Sequence, residues 1–343
     1  MSRFKGHQLH LIHLVLFLCL IGFIVIDVVV GTVNIPFSIL IDIFQGSELE
    51  SNEIYRNIIF IFRLPKALTA VLAGAALSLS GLQMQALFRN PLAGPYVLGV
   101  SSGASLFVAL AIMAGDIFLI NSDFFSEVNL ALAAGVGAAA SLLLILIISE
   151  IIKEPNTVLI IGLMFGHLTG AVVTILQYFT EAKKLQGFVM WGMGSFSNVV
   201  WNQFWILLLL VFLGSAVSIF LSKSLNAYLL GDTYAESIGL NIKRTKLLTI
   251  TSTALLAGGV TAFCGPIAFL GMAVPHLAKS IVKTSDHTIL IPLVALIGGI
   301  LAIFCDIVAG VPFVNSSLPI NAVTSIVGAP VVIWVIIQKR YRH

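Results

Sequence analysis

Residues 63–103 read RLPKALTAVLAGAALSLSGLQMQALFRNPLAGPYVLGVSSG, and the opening of this stretch recurs later in the chain. TAVLAG at 69–74 returns as TALLAG at 253–258, and at the same offset Gly81 meets Gly265 and Pro91 meets Pro275. A repeat of this kind means two related halves. In a membrane chain, related halves point to a transporter rather than to a single anchored domain.

Composition makes this a membrane chain. Hydrophobic residues are 59% and charged residues 10% of the 343 residues, and the mean hydropathy is +1.07. Soluble domains carry about 25% charged residues, so the charges here are too few to cover a water-facing surface. Residues 67–88, 91–115, 128–149, 185–222, 247–275, 288–305 and 307–338 contain no Asp, Glu, Lys or Arg. A spanning helix takes about 20 apolar residues. The runs therefore predict an all-α polytopic membrane protein of about ten spans: 11–33, 67–88, 95–115, 128–150, 158–180, 201–222, 247–264, 267–283, 288–309 and 321–338. Arg3 and Lys5 ahead of the first span allow a signal peptide, but the apolar part is longer than a signal core and lacks a convincing small-residue cleavage site. The reading adopted is a retained first helix.

Orientation follows the Lys and Arg bias. Arg3, Lys5, Arg89, Lys153, Lys223, Lys243, Arg244, Lys246, Lys279, Lys283, Lys339, Arg340 and Arg342 fall in the two tails and the even-numbered loops. Glu48, Glu50, Glu53, Asp116, Asp123, Glu127 and Glu181 fall in the others, with Arg56, Arg63, Lys66, Lys183 and Lys184 as exceptions. Both termini are thus expected in the cytoplasm, and the net charge of +3 is a topology signal with no bearing on nucleic acid. The two TA-x-LAG copies fall on the second and seventh spans, five apart, and so run in opposite directions. That predicts one transmembrane domain over residues 1–343 with an inverted repeat, spans 2–5 against 7–10, the halves being roughly 63–180 and 247–338.

Within the second span, Gly74, Ala75, Ala76, Ser78, Ser80 and Gly81 suit close helix packing. The same helix could line a pathway, with Gln83 and Gln85 as polar wall residues. Asn90-Pro91-Leu92-Ala93-Gly94-Pro95 breaks the helix, since neither proline has an amide to donate. Cys19, Cys264 and Cys305 have no CxxC spacing and read as small core hydrophobes. A lone histidine near a helix break, such as His276, more often makes a structural hydrogen bond than ligates iron or haem, and the same holds for His167. Asp306 reads as a helix-end residue, with a pathway role as the alternative.

Residues 223–246, KSLNAYLLGDTYAESIGLNIKRTK, are the longest polar interval expected inside. They carry an interrupted apolar face, with a break and a helix start at Gly231-Asp232. An ordinary loop bearing a surface helix is one reading; a short helix docking into a groove on a cytoplasmic partner is the other.

LLGDTYAESIGLNIKRTK, GPIAFLGMAVPHLAK at 265–279, LPINAVTSIVGAPVVIW at 318–334, WGMGSF at 191–196 and the 63–103 stretch together resemble the FecCD permeases of ABC importers for iron–siderophores, haem or vitamin B12. The likeness runs in order from Arg63 to Trp334. It implies a bacterial inner-membrane subunit that pairs with a second permease, most simply as a homodimer, around one path. Two cytoplasmic ATPases would dock on 223–243 through Leu230, Gly231, Asp232, Ala235, Ile238 and Gly239, and would carry the ATP and Mg, so this chain needs no cofactor. An extracytoplasmic binding protein would dock at Arg63 and Lys66, or those two basic side chains simply snorkel to the headgroups. The path would be lined by Gln83, Met84, Ser101, Ser102, Met193 and Phe196, with an inner gate near Pro155, Asn156 and Thr157. Three positions depart from the family pattern: Asp306 falls in the segment where the B12 permease has an Arg, Ser317 replaces a frequent Glu, and Asn321 replaces the usual Gly.

The sequence contains no GxxxxGK[ST] phosphate loop, so the energy source lies on other subunits and this chain is not itself an enzyme. Two rival classes fit less well. A secondary carrier needs ionisable groups within its spans, of which there are few. An intramembrane enzyme needs HExxH, GxSxG or paired carboxylates, which do not occur on these helices.

Overall fold

The computed structural model describes residues 6–30, 50–114, 127–152, 154–310 and 318–340. Expectations resting on Arg3, Lys5, Glu48, Asp116, Asp123, Lys153, Ser317 and Arg342 lie outside them. The described residues are helical with irregular links and contain no strand. A bilayer offers no water to backbone amides and carbonyls, so apolar runs satisfy them within helices.

Helix α1 is Gly6–Val29 and α2 is Glu50–Asn57, which passes through a π-helical turn, Ile58–Arg63, into α3, Leu64–Leu87. Then come α4 (Val100–Ala114), α5 (Glu127–Ile151), α6 (Pro155–Tyr178), the short α7 (Ala182–Gly192) and α8 (Trp201–Phe220). Two short helices follow, α9 (Ser222–Tyr228) and α10 (Asp232–Ser237). Next, α11 (Ile242–Thr253), a second π-helical turn (Ala254–Gly258) and α12 (Gly259–Cys264) run on as one rod. The last three are α13 (Leu270–Val282), α14 (His287–Gly310) and α15 (Ile320–Arg340).

Among the described residues seven helices are long and apolar enough to cross a membrane, and three shorter apolar ones, Val100–Met113, Leu270–Val282 and Ile320–Trp334, stand where the third, eighth and tenth spans were expected. Two of these start late because irregular chain precedes them. Pro91, Pro95 and Gly99 (φ +83°) hold residues 90–99 out of helix, and Gly265 (φ +72°) and Phe269 (φ +66°) do the same for 265–269. The sequence reading missed α2, α7 and both π-helical turns. One of those turns occupies the second copy of the repeat, whereas the first copy is regular α-helix.

The small residues of α3 do what their size permits. A Cβ on Gly74 would lie 2.1 Å from the Gly298 carbonyl oxygen, and one on Gly81 would lie 1.7 Å from that of Gly271. So α3 is pressed backbone to backbone against α14 and α13. The second copy packs differently: the π-helical turn and α12 lie against α5, where Gly258 faces the Ala138 methyl. The second span packs on the ninth and its counterpart, the seventh, packs on the fourth, an exchange of partners that an inverted repeat produces. Helix α1 belongs to the bundle. Phe23 meets Phe304 of α14 edge-on at 6.1 Å, and Leu20 is buried.

Candidate functional site

Two features stand at opposite ends of the bundle. At the end where α3 begins and α14 finishes there is a cavity of about 520 Å³, lined among others by Lys66, Trp191, Met193, Phe196, Asn198, Gln203, Phe263 and Asp306. Its polar pole is an ion-pair cluster. The Lys66 ammonium lies 2.9 Å from the Asp306 carboxylate and 3.9 Å from that of Asp27, and both acids are buried. Charges this far from water persist only when paired. Arg63 is also buried and donates to the carbonyls of Val28 and Val29 at the end of α1, both at 2.8 Å.

The lip of the cavity is held by irregular backbone. Gly194 turns the chain at φ +70°, and Ser195 N donates to the Cys264 carbonyl at 2.8 Å. Asn321 has a visible function where it departs from glycine. Its side-chain oxygen accepts from Ala268 N at 3.0 Å, a bond glycine could not make, while its backbone N–H, as any residue's would, donates to the Met193 carbonyl at 3.2 Å; together they fasten α15 to 265–269 and to the WGMGSF turn.

Of the residues expected along a path, Met193 and Phe196 line this cavity. Ser101 and Ser102 are half-buried in the first turn of α4, where the Ser102 hydroxyl faces Gly166 of α6. Gln83 and Met84 need correcting, because both are fully buried inside the subunit. Gln83 donates to Ser252 Oγ at 2.9 Å and accepts from Thr253 Oγ1 at 3.3 Å, so it is glue between α3 and α11 and not an open wall. Gln85 is likewise buried and bonds Met272 and Lys279. Gln83→Leu strands a buried Thr253 hydroxyl, and the expected cost is about 1–3 kcal/mol of stability, read as a lower unfolding midpoint of the purified chain.

At the other end lies the segment expected to meet a partner. It is not one docking helix but two short ones, joined at Gly231, whose φ of +109° suits glycine alone. The Arg89 guanidinium, after the end of α3, pairs with Asp232 and stands 5.0 Å from the Tyr228 ring centre. Tyr228, Leu225 and Ala235 are buried and anchor the segment, so Ala235 faces inward rather than outward. Leu230 (65% exposed), Tyr234 (49%) and Ile238 (55%) face out with nothing over them in this chain. Gly239 (φ +84°) ends the segment, and Asn241 caps α11 by accepting from Arg244 N at 3.0 Å.

Asn156 and Thr157 sit in the first turn of α6, beyond Pro155. Glu154 caps that turn, taking bonds from the Thr157 amide (2.9 Å) and hydroxyl; these hold its carboxyl below the usual glutamate range. His276 is buried and bonds the Pro91 carbonyl at 2.8 Å, while His167 is exposed on α6. Among the described residues no three His, Cys, Asp or Glu side chains gather as a metal site. The reading of the sequence assigned no role to Asp27 or Asn226. A lone acid in the first span was the available signal for Asp27.

A bundle of apolar helices with a cavity at one end and an exposed, anchored two-helix segment at the other defines a membrane permease. The pattern of the FecCD transport family matches residues 18–338, and the chain belongs to that family. The vitamin B12 import system permease protein BtuC of Salmonella typhimurium is 35% identical over 280 residues, 81% of this chain and 82% of that one. A protein of Methanocaldococcus jannaschii described as an ABC transporter permease is 34% identical over 296 residues, 83% of this chain and 84% of its own. A solved structure described as an inward-facing metal-chelate type ABC transporter superposes with a TM-score of 0.82 at 29% identity, over 95% of this chain and 99% of that one. The chain is thus the membrane-spanning permease subunit of an ABC importer of the FecCD/BtuC type, a transmembrane component and not an ATPase.

Proposed function

We propose that this permease carries a bulky metal chelate, an iron–siderophore, haem or cobalamin, inward across the membrane. The observation that carries the reading is the exposed Leu230–Tyr234–Ile238 surface on an anchored segment, at the end of the bundle away from the cavity. Three apolar side chains left open on a polar cytoplasmic segment suit a groove on a soluble ATPase. ATP and Mg bind on that partner. With the termini inside, the Asp306 end of α14 faces out and the cavity is the entrance where a binding protein delivers its cargo. Met193, Phe196, Ser101 and Ser102 serve the path, and Asn156 and Thr157 serve its inner gate. Gln83 and Met84 are dropped from the path. Of the proposed basic contacts, Lys66 lines the entrance but is held by Asp306, so docking there competes with an existing ion pair; Arg63 serves mainly to hold α1.

Ten spans result when the three shorter apolar helices are counted with the seven long ones. A second copy is the natural cover for α6 and α15, which expose Met164, Leu168, Ile175, Ile326 and Trp334. ATP-driven closure of the ATPases would rock two such subunits as rigid bodies between outward- and inward-open states. The assembly is tested by native mass spectrometry of the chain purified with its cognate ATPase. Two permeases with two ATPases are expected. Leu230→Asp combined with Ile238→Asp should release the ATPases while leaving the permease pair, since together they put two charges into the proposed groove. ATPases retained by that variant would contradict the docking surface.

A further inference from the structure

Helix α14 has a polar fastening at each end. At its start, Asn226 of α9 donates through Nδ2 to Asp286 Oδ1 at 2.7 Å. The Asn226 side-chain oxygen accepts from the His287 amide at 2.8 Å and from His287 Nδ1 at 2.7 Å. Asp286 in turn accepts from the Thr288 amide (2.9 Å) and hydroxyl (2.8 Å), closing the first turn of α14. His287 is buried and the Asn226 bonds to it and to Asp286 are partly buried, whereas the Thr288 bonds lie at the surface. At the far end, Asp306 holds Lys66 in the cavity. The helix between is 24 residues long, about 36 Å at 1.5 Å per residue. It continues through Pro292 and is clamped to α3 where Gly74 meets Gly298.

Three residues separate Asn226 from Leu230, and Leu225 and Tyr228 on either side of it are buried. A push on the exposed segment is therefore passed to α9, which sits in its own socket. The Asn226 side chain is where α9 grips the capping turn of the spanning helix α14.

We infer that Asn226 is a coupling residue. It positions α14 relative to the segment that meets the ATPase, so that movement of the segment is delivered along α14 to the Lys66–Asp306 pair in the cavity. The inference rests on the permease reading above and adds to it a named route between the two ends. Rigid elements joined by hydrogen-bonded fastenings are the physical means by which such ends become coupled. Asn226 acts through Asp286 and His287 and touches neither cargo nor nucleotide.

The test uses the assembled complex of this chain, its cognate ATPase and its binding protein in liposomes, with ferric siderophore, haem and cobalamin offered separately. Cargo uptake and ATP hydrolysis are measured together. Asn226→Ala is expected to lower uptake about tenfold while ATP hydrolysis stays within about twofold of wild type, so that more ATP is spent per cargo. Asn226→Asp alone puts a second carboxylate beside Asp286 and should be equally uncoupled. Asn226→Asp combined with Asp286→Asn removes that clash and lets position 286 donate to the carboxylate at position 226, at the cost of the bonds to Thr288, and should recover much of the uptake. A purely structural role predicts instead that uptake and hydrolysis fall in parallel, and that outcome overturns the inference, as does normal coupling in Asn226→Ala or failure of the exchanged pair to recover. A wild-type complex that takes up none of the three cargoes on ATP overturns the permease reading itself, and this inference with it.

Discussion

Gly81→Ala should cost the chain about 3 kcal/mol or more of stability, because the added methyl has no way to turn aside. The atom it meets at 1.7 Å is the backbone oxygen of Gly271, and beyond that point α3 and the chain that follows it are held to α13 by the Gln85–Met272 and His276–Pro91 bonds. The two helices have to part, and the contacts around Leu77, Leu82 and Val274 part with them. The result is read as loss of the monodisperse fraction after detergent extraction and a drop in unfolding midpoint. Gly170→Ala is the matched control, since nothing lies within 4 Å of its added carbon, and it should be silent. Equal behaviour of the two variants would mean that α3 and α13 do not approach as closely as described.

Lys66→Met carries the second large effect. It removes the one ammonium between two buried carboxylates and leaves Asp27 and Asp306 facing each other in an apolar setting. Removing one partner of a buried pair costs about 3–5 kcal/mol. Removing all the charge does not, because the desolvation of the acids disappears with them. Lys66→Met combined with Asp27→Asn and Asp306→Asn is therefore expected to recover most of the lost stability, measured as the unfolding midpoint in one detergent. A triple variant no better than Lys66→Met would show that the cluster stabilises through packing rather than charge.

The sequence disclosed features that repeat or interrupt. The TA-x-LAG copies marked the two rods that pack on α14 and α5, and Pro91 and Pro95 marked where the third span starts late, whereas the late start of the eighth was not foreseen. The charged interval after Phe220 marked the segment that leaves Leu230, Tyr234 and Ile238 exposed. What stayed hidden depends on partners far along the chain. A glutamine among small residues looks the same on a pathway wall and in a buried interhelical bond, and only Ser252 and Thr253 across from it distinguish the two for Gln83. Asp27, Lys66 and Asp306 are three isolated charges in sequence and become a cluster only when α1 and α14 close around α3. The π-helical turns have no residue signature, since TAVLAG is regular helix and TALLAG is not.

The two ends also explain why so few charges suffice. A carrier driven by ions needs titratable ligands within its spans, whereas a carrier pushed from outside needs a handle and a stiff body. In the proposed mechanism the exposed segment is the handle, and the glycine-to-glycine contacts of α3 stiffen the body.

Uptake into liposomes that hold this chain with its cognate ATPase and binding protein tests the central claim most directly. With ATP supplied to the ATPase side and no ion gradient, one of ferric siderophore, haem or cobalamin should accumulate, and accumulation should stop when the ATPase is inhibited. Accumulation driven by a proton or sodium gradient without ATP would contradict the account and place the energy source in the permease itself.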